Sequence, residues 1–147
     1  MTKTKEALNG LLVNLFNDIL KIEESCLKDI DDLTMTEIHT IEAIGIEEKR
    51  AMGEIATNLR ITVGTLTSAV NRLLQKGYVI REKDKNDKRV VLISLTEKGE
   101  EVFRIHKLFH DQMIENVCDE FDDFDQELLT KLLSKIVLFF ENRYDIK

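Results

Sequence analysis

The sequence predicts a mainly α-helical chain that carries one small β-hairpin, and three observations lead there. Its 147 residues include no proline and only six glycines, so little interrupts a helix. Apolar side chains recur at helical spacing through most of the chain. Residues 78–95 instead hold two extended runs, the second rich in β-branched residues, around a polar tip. With 43% hydrophobic and 33% charged residues the chain can bury a core and is neither disordered nor membrane-embedded. The length suits one compact domain or one subunit of an obligate oligomer.

The elements follow in order. Residues 5–27 place Leu8, Leu11, Leu12, Leu15, Ile19, Ile22 and Cys26 on one stripe of a first helix. An acidic break at 29–33 follows, and Thr34 and Thr36 are start signals for a second helix through Ile38, Ile41 and Ile44, with Gly45 as its stop. Met52, Ile55, Ala56 and Leu59 mark a short third helix. Thr62 caps a fourth that runs to about Lys76 and closes at Gly77. Residues 78–83 and 89–95 read as strands and 84–88 as the hairpin tip. Thr96 starts a long helix to about Glu120. Asp123 or Asp125 starts the last, with Leu129, Leu132, Leu133, Ile136, Val137 and Phe140 on one face.

A short helix, a three- to four-residue turn, a second helix and a hairpin make a winged helix-turn-helix. We expect it over residues 34–95, flanked by dimerisation helices at 5–28 and 96–145. The apolar stripes of those flanking helices have no partner inside one subunit. A twofold homodimer would bury them and present two copies of the fourth helix.

The net charge of −7 argues at first against a polyanionic partner, but the distribution reverses this. Residues 60–98 hold nine Lys/Arg and four Asp/Glu, whereas the remainder holds 12 and 24. A basic island in an acidic chain is the footprint of one surface offered to nucleic acid. On the fourth helix Val63, Leu66, Ala69, Val70, Leu73 and Leu74 form the inner side, and Gly64, Thr65, Thr67, Ser68, Asn71, Arg72 and Gln75 the outer. An ordinary solvated face mixes Glu with Lys; this one has no carboxylate. We therefore expect Thr62, Thr65, Thr67, Ser68, Asn71 and Arg72 in a DNA major groove, where Thr methyls touch thymine, Asn reads adenine and Arg reads guanine. Lys83, Lys88 and Arg89 crowd the hairpin tip beside the DNA backbone, with Asp87 placed to hold Arg89. The partner so implied is double-stranded DNA with a palindromic operator.

The stretch ITVGTLTSAVNRLLQKGYVIREKDKNDKRVVLISLTEKG resembles the DNA-binding core of the MarR family of winged-helix repressors, including the wing element Asp87-x-Arg89 and the L-T-x-K-G entry to the next helix. The flanking helices are similar to that family's dimerisation region. ILKIEES, TEIHTIEAIG, ITVGTLTSAVNRL and HKLFHDQM resemble the branch that represses fatty-acid synthesis genes in Gram-positive bacteria. The resemblance implies long-chain acyl-acyl carrier protein as corepressor and acyl carrier protein as a partner. The short acidic connection at 28–33 departs from the branch.

His106 and His110 share one face of the long helix, His39 sits on the second, and Glu23 and Glu24 end the first. Three readings stand for this set: a zinc site, which the resemblance also implies because related zinc sensors use the equivalent helices; polar lining of an acyl pocket; and structural His–Glu packing. Leu12, Leu15, Phe16, Ile19, Ile41, Ile44, Phe103 and Phe109 are apolar positions able to line an acyl tunnel or simply to form core. Cys26, on an apolar stripe, reads as an inert thiol rather than an oxidation sensor.

No cofactor is required by this reading, and no nucleophile–base arrangement or phosphate-binding glycine loop suggests an enzyme. A winged-helix protein-interaction module is the competing class, but it needs neither a carboxylate-free helix nor a basic wing. Two cysteines, a polar MTKTKEALNG start and no membrane-length apolar run lead us to expect a cytoplasmic protein without membrane contact.

Overall fold

The computed structural model describes residues 1–30 and 32–146, so Asp31 of the acidic break lies outside the described residues. The chain divides into two compact units, Met1–Met35 and Thr36–Lys147.

The first unit is dominated by helix α1 (Lys3–Cys26). The Thr2 hydroxyl caps it by accepting from the Lys5 N–H at 3.3 Å. Leu8, Leu11, Leu15, Phe16 and Ile22 are each at least 50% exposed, whereas Glu23 and Leu27 are buried.

The second unit runs α2 (Met35–Ile44), β1 (Arg50–Ala51), α3 (Met52–Leu59), α4 (Val63–Lys76), β2 (Val79–Lys83), β3 (Val91–Leu95), α5 (Glu97–Asp119) and α6 (Asp123–Tyr144). Its core gathers Ile41 and Ile44 from α2, Ile55 from α3, Leu66, Val70 and Leu73 from α4, and Ile93 from β3, none with accessible surface. Each such side chain contributes roughly 1.5–3 kcal/mol by leaving water. The turn between α3 and α4 is three residues long. It is sharp because Arg60 takes a left-handed conformation (φ 57°) that lets its N–H cap Ala56 and Thr57. That conformation costs a non-glycine residue about 1 kcal/mol.

The sheet corrects one expectation. It has three antiparallel strands in the order β1-β3-β2, where the sequence predicted a hairpin alone. Arg50 and Ala51 pair with Ile93 and Leu92, and Val79 to Lys83 pair with Leu95 to Val91. A two-residue strand leaves no periodicity to read. The second wing strand also starts later than expected, at Val91, because Val90 still belongs to the tip: its N–H donates to Asp87 O at 2.9 Å.

The wing base is locked by the L-T-x-K-G element. Gly77 ends α4 with φ 81°, which only glycine adopts without strain. The Thr96 hydroxyl donates to Gly77 O at 2.7 Å and accepts from the Gly99 N–H at 3.2 Å, and the Lys98 ammonium donates to Lys76 O at 3.0 Å. A Cβ on Gly99 would stand 2.2 Å from Tyr78 O, so the close approach of helix and strand requires glycine there.

On α6 nothing is buried. Asp122 caps it, one residue before the expected start, by accepting from the Asp125 N–H at 2.8 Å. Leu132, Leu133, Val137, Leu138, Phe139 and Phe140 are each more than 40% exposed. Among the described residues no helix is long and apolar enough to cross a membrane.

Candidate nucleic-acid interface

Helix α4 presents the two sides that its spacing predicted, except that Val63, expected on the inner side, is 49% exposed in the first turn and Leu74 is half-buried. Leu66, Ala69, Val70 and Leu73 are buried, and Gly64, Thr65, Ser68, Asn71, Arg72 and Gln75 are exposed, with Thr67 between. The Thr62 hydroxyl caps the helix, accepting from the Thr65 N–H at 3.1 Å and lying 2.9 Å from the Thr65 hydroxyl. The Thr67 hydroxyl donates to Val63 O at 2.8 Å. With its proton held by the backbone, Thr67 has only its methyl and acceptor lone pairs left for a ligand. The first turn holds no acidic residue to offset the positive end of the helix dipole.

Arg72 and Asn71 are both engaged. Glu37 of α2 has no accessible surface, and its carboxylate accepts from Arg72 Nε at 2.9 Å and Lys76 Nζ at 2.8 Å. Expected as a guanine reader, Arg72 thus commits one edge of its guanidinium to the protein. Asn71 Oδ1 accepts from Arg81 Nη1 of β2 at 2.9 Å. Sequence reasoning missed both partners. Glu37 had a signal, since it is a carboxylate on the face of α2 that also buries Ile38, Ile41 and Ile44. Arg81 had none, because its contact reaches across the Gly77 turn.

The wing tip is built on two aspartates. Asp84 Oδ1 accepts from the Asn86 and Asp87 N–H groups at 2.6 and 3.2 Å, turning the chain. Asp87 grips Arg89 with both oxygens, Nε to Oδ1 at 3.1 Å and Nη2 to Oδ2 at 3.2 Å, and accepts from the Arg89 N–H at 3.1 Å. The Arg89 side chain and then its backbone N–H hold the Asp87 carboxyl below its ordinary range. The Arg89 side chain is nonetheless 91% exposed, a guanidinium held out to solvent. Lys83 and Lys88 are exposed and make no ion pair among the described residues.

An open cleft of about 550 Å³ runs between α3, α4 and the wing. Val63, Thr67, Arg81 and Arg89 line it, and no carboxylate does. A carboxylate-free helix and an exposed, clamped arginine flanking one groove define a DNA-binding winged helix-turn-helix.

The histidines sit away from this groove. His106 of α5 is buried, its Nε2 lies 3.2 Å from His110 Nε2, and its Nδ1 lies 3.2 Å from Glu42 Oε2 of α2. The His39 and His106 rings are 5.5 Å apart between centroids. Within this unit the carboxylate beside the pair is Glu42. Glu23 and Glu24 lie on α1, one buried and one exposed. Of the apolar positions considered for a tunnel, Ile41, Ile44 and Phe109 are buried, and Leu15 and Phe16 are more than half exposed.

Residues 33–91 match the MarR family. HTH-type transcriptional regulator SarZ of Staphylococcus saprophyticus is 33% identical over 112 residues, 76% of this chain and 70% of SarZ. The structure of Streptococcus pneumoniae FabT in complex with DNA superimposes with a TM-score of 0.88 at 34% identity, covering 94% of this chain and 98% of FabT. The S. aureus MepR–DNA complex shares the fold, with a TM-score of 0.74 at 20% identity over 88% of this chain and 95% of MepR. The chain belongs to the MarR family and is a DNA-binding transcriptional regulator. Members of this family are transcriptional regulators rather than enzymes.

Proposed function

We propose that this regulator is a homodimeric repressor of fatty-acid biosynthesis genes, with long-chain acyl-acyl carrier protein as corepressor. The observation that carries the proposal is the likeness to FabT over nearly the whole chain, in a FabT structure that holds DNA. The branch-like segments TEIHTIEAIG and ITVGTLTSAVNRL, which form α2 and the reading half of α4, support it further. Thr62, Thr65, Thr67, Ser68 and Asn71 of each subunit enter the major groove, and Arg89, held by Asp87, takes the flanking minor groove with Lys83 and Lys88 beside it. We assign Arg72 to anchoring α4 on Glu37. The exposed apolar faces of α1 and α6 are the surfaces a second copy would cover.

The test is fluorescence anisotropy on a palindromic fragment from a fatty-acid-synthesis promoter, with a chelator present, with and without acyl-acyl carrier protein. Tighter binding with the acyl protein is expected. Binding that ignores it overturns the corepressor and leaves the DNA reading intact. An affinity that barely falls with rising salt overturns the DNA interface itself and favours a protein-docking module.

The histidine cluster supports a second reading, a zinc-responsive repressor. The N···N separation of 3.2 Å between His106 and His110 is close to one edge of a zinc tetrahedron. Glu42 Oε2 lies 3.2 Å from His106 Nδ1, close enough to attract a ligating imidazole although it is not aligned as a hydrogen-bond acceptor for it. The pair fits two of zinc's four positions, and bound zinc would supply a charge cross-linking turns of α5 beside α2. Zinc added after the chelated measurement should change operator affinity under this reading, and leave it unchanged under the first.

A further inference from the structure

We propose that Arg81, on wing strand β2 rather than on the recognition helix, sets the base preference of Asn71 by turning the two side chains into one reading unit dominated by donors. It rests on α4 being the helix that enters the groove.

Asn71 alone is ambivalent. Its amide presents an acceptor, Oδ1, and a donor, Nδ2, which together match the N6 donor and N7 acceptor of adenine. Arg81 Nη1 donates to Oδ1 at 2.9 Å. That bond fixes which way the amide faces, because a flipped amide would set N–H against N–H. Its acceptor is also engaged by a full positive charge. The side chains then offer the Nδ2 protons and the remaining guanidinium protons as donors, against one Oδ1 lone pair that lies beside the cation and is a weakened acceptor. Adenine's exocyclic amine meets donors with a donor; guanine, with O6 and N7 both acceptors, meets them with two acceptors.

Two further observations support the assignment. No carboxylate pairs with Arg81 among the described residues, so its charge stays available to a polyanion. In the cleft it shares with Thr67 and Arg89, no acidic side chain competes. Arg72, the arginine on α4 itself, is by contrast tied to Glu37. The arginine that reaches the reading face therefore comes from the neighbouring strand.

The experiment measures the binding of wild-type dimer, Arg81→Met, Arg81→Lys, Asn71→Ala and the Arg81→Met/Asn71→Ala double variant. The probes are operators substituted one base pair at a time, at fixed salt, with helical content and melting temperature checked for each variant. At one symmetric position wild type should prefer guanine over adenine by roughly tenfold or more. Arg81→Met should remove or invert that preference, and in the Asn71→Ala background it should add little to it, since the two act as a unit. Arg81→Lys, which keeps the charge, should keep affinity for scrambled DNA and lose the preference. An equal loss on every operator for Arg81→Met, with the salt slope falling by about one, would make Arg81 a phosphate contact and overturn the proposal. A wild-type preference for adenine that Arg81→Met abolishes would overturn it too. If Asn71→Ala leaves every base preference intact, the fault lies in the placement of α4 and not in the pair.

Discussion

Glu37→Ala should both loosen the fold and weaken operator binding without changing which bases are preferred. The carboxylate has no accessible surface and holds two cations at 2.9 and 2.8 Å. Removing one partner of a buried ion pair costs about 3–5 kcal/mol when the charge left behind cannot reach water. Here it can, because the Arg72 and Lys76 side chains are 49% and 31% exposed. We therefore expect about 2–3 kcal/mol, a fall of roughly 5–10 °C in melting temperature for a chain of this size. Glu37→Gln should lie between, since its amide oxygen still accepts from Arg72 but its amide N–H faces the Lys76 ammonium. Glu37→Met with Arg72→Met should recover part of the loss, as apolar replacement of a buried pair often does. The assay is thermal unfolding by circular dichroism at one protein concentration, because dimer stability depends on concentration. A Glu37→Ala melting temperature within about 2 °C of wild type would refute the reasoning. So would an Arg72→Ala variant that melts like wild type yet relaxes base preference, which would return Arg72 to the groove.

Three more expectations can be checked on the same protein. Gly99→Ala should destabilise by about 2 kcal/mol, because the added Cβ meets the Tyr78 carbonyl oxygen at 2.2 Å and relief requires a backbone shift rather than a side-chain rotation; a melting temperature at or above wild type would contradict it. Arg89→Ala should weaken binding to cognate and scrambled operators alike and lower the salt slope by about one, whereas loss on the cognate alone would indicate base reading. The Asp87 carboxyl titrates below its ordinary range in the folded wing, so what its clamp contributes is fully present above the unfolded carboxylate pKa and is lost only as pH falls through the lower folded value. Operator affinity measured from pH 8 to pH 5 should therefore show no step from the wing. A step that vanishes in Asp87→Asn would show the sign to be wrong.

How far the sequence carries depends on the range of each interaction. Helix boundaries were legible because their signals are local: Thr62, Thr96 and Gly77 each act within a few residues, and each stands where its chemistry required. The two sides of α4 followed from angular spacing except at Val63, which sits in the first turn, ahead of the packed part of the helix, and is exposed. The third strand was not legible, since Arg50 and Ala51 join the sheet only because β3 offers a free edge more than 40 residues on. Side-chain pairings lie beyond the same limit. That Arg72 would meet Glu37, and Arg81 would meet Asn71, depends on packing angles that periodicity does not contain. Such pairings decide whether a polar residue on a helix faces the ligand or the protein. The helix that reads DNA was therefore easier to find than the atoms free to do so.

These pairings give α2 a position between the two chemistries of the second unit. Glu37 near its start anchors α4 through Arg72 and Lys76, and Glu42, on its exposed side, meets His106 of α5. Ile38, Ile41 and Ile44 of the same helix are packed without accessible surface, or nearly so. A close-packed helix of ten residues moves as a body rather than bending. A ligand at the histidines that shifted α2 as a body, rather than only swinging the half-exposed Glu42 side chain into solvent, would either carry Glu37 with it or break the Glu37 ion pairs. Moving Glu37 would reorient α4 and both side chains it holds, so under either proposed effector reading a ligand at α5 and DNA at α4 would compete for or cooperate over the placement of one short helix. This coupling needs no contact between effector and reading face, only that the two sites favour different positions of α2.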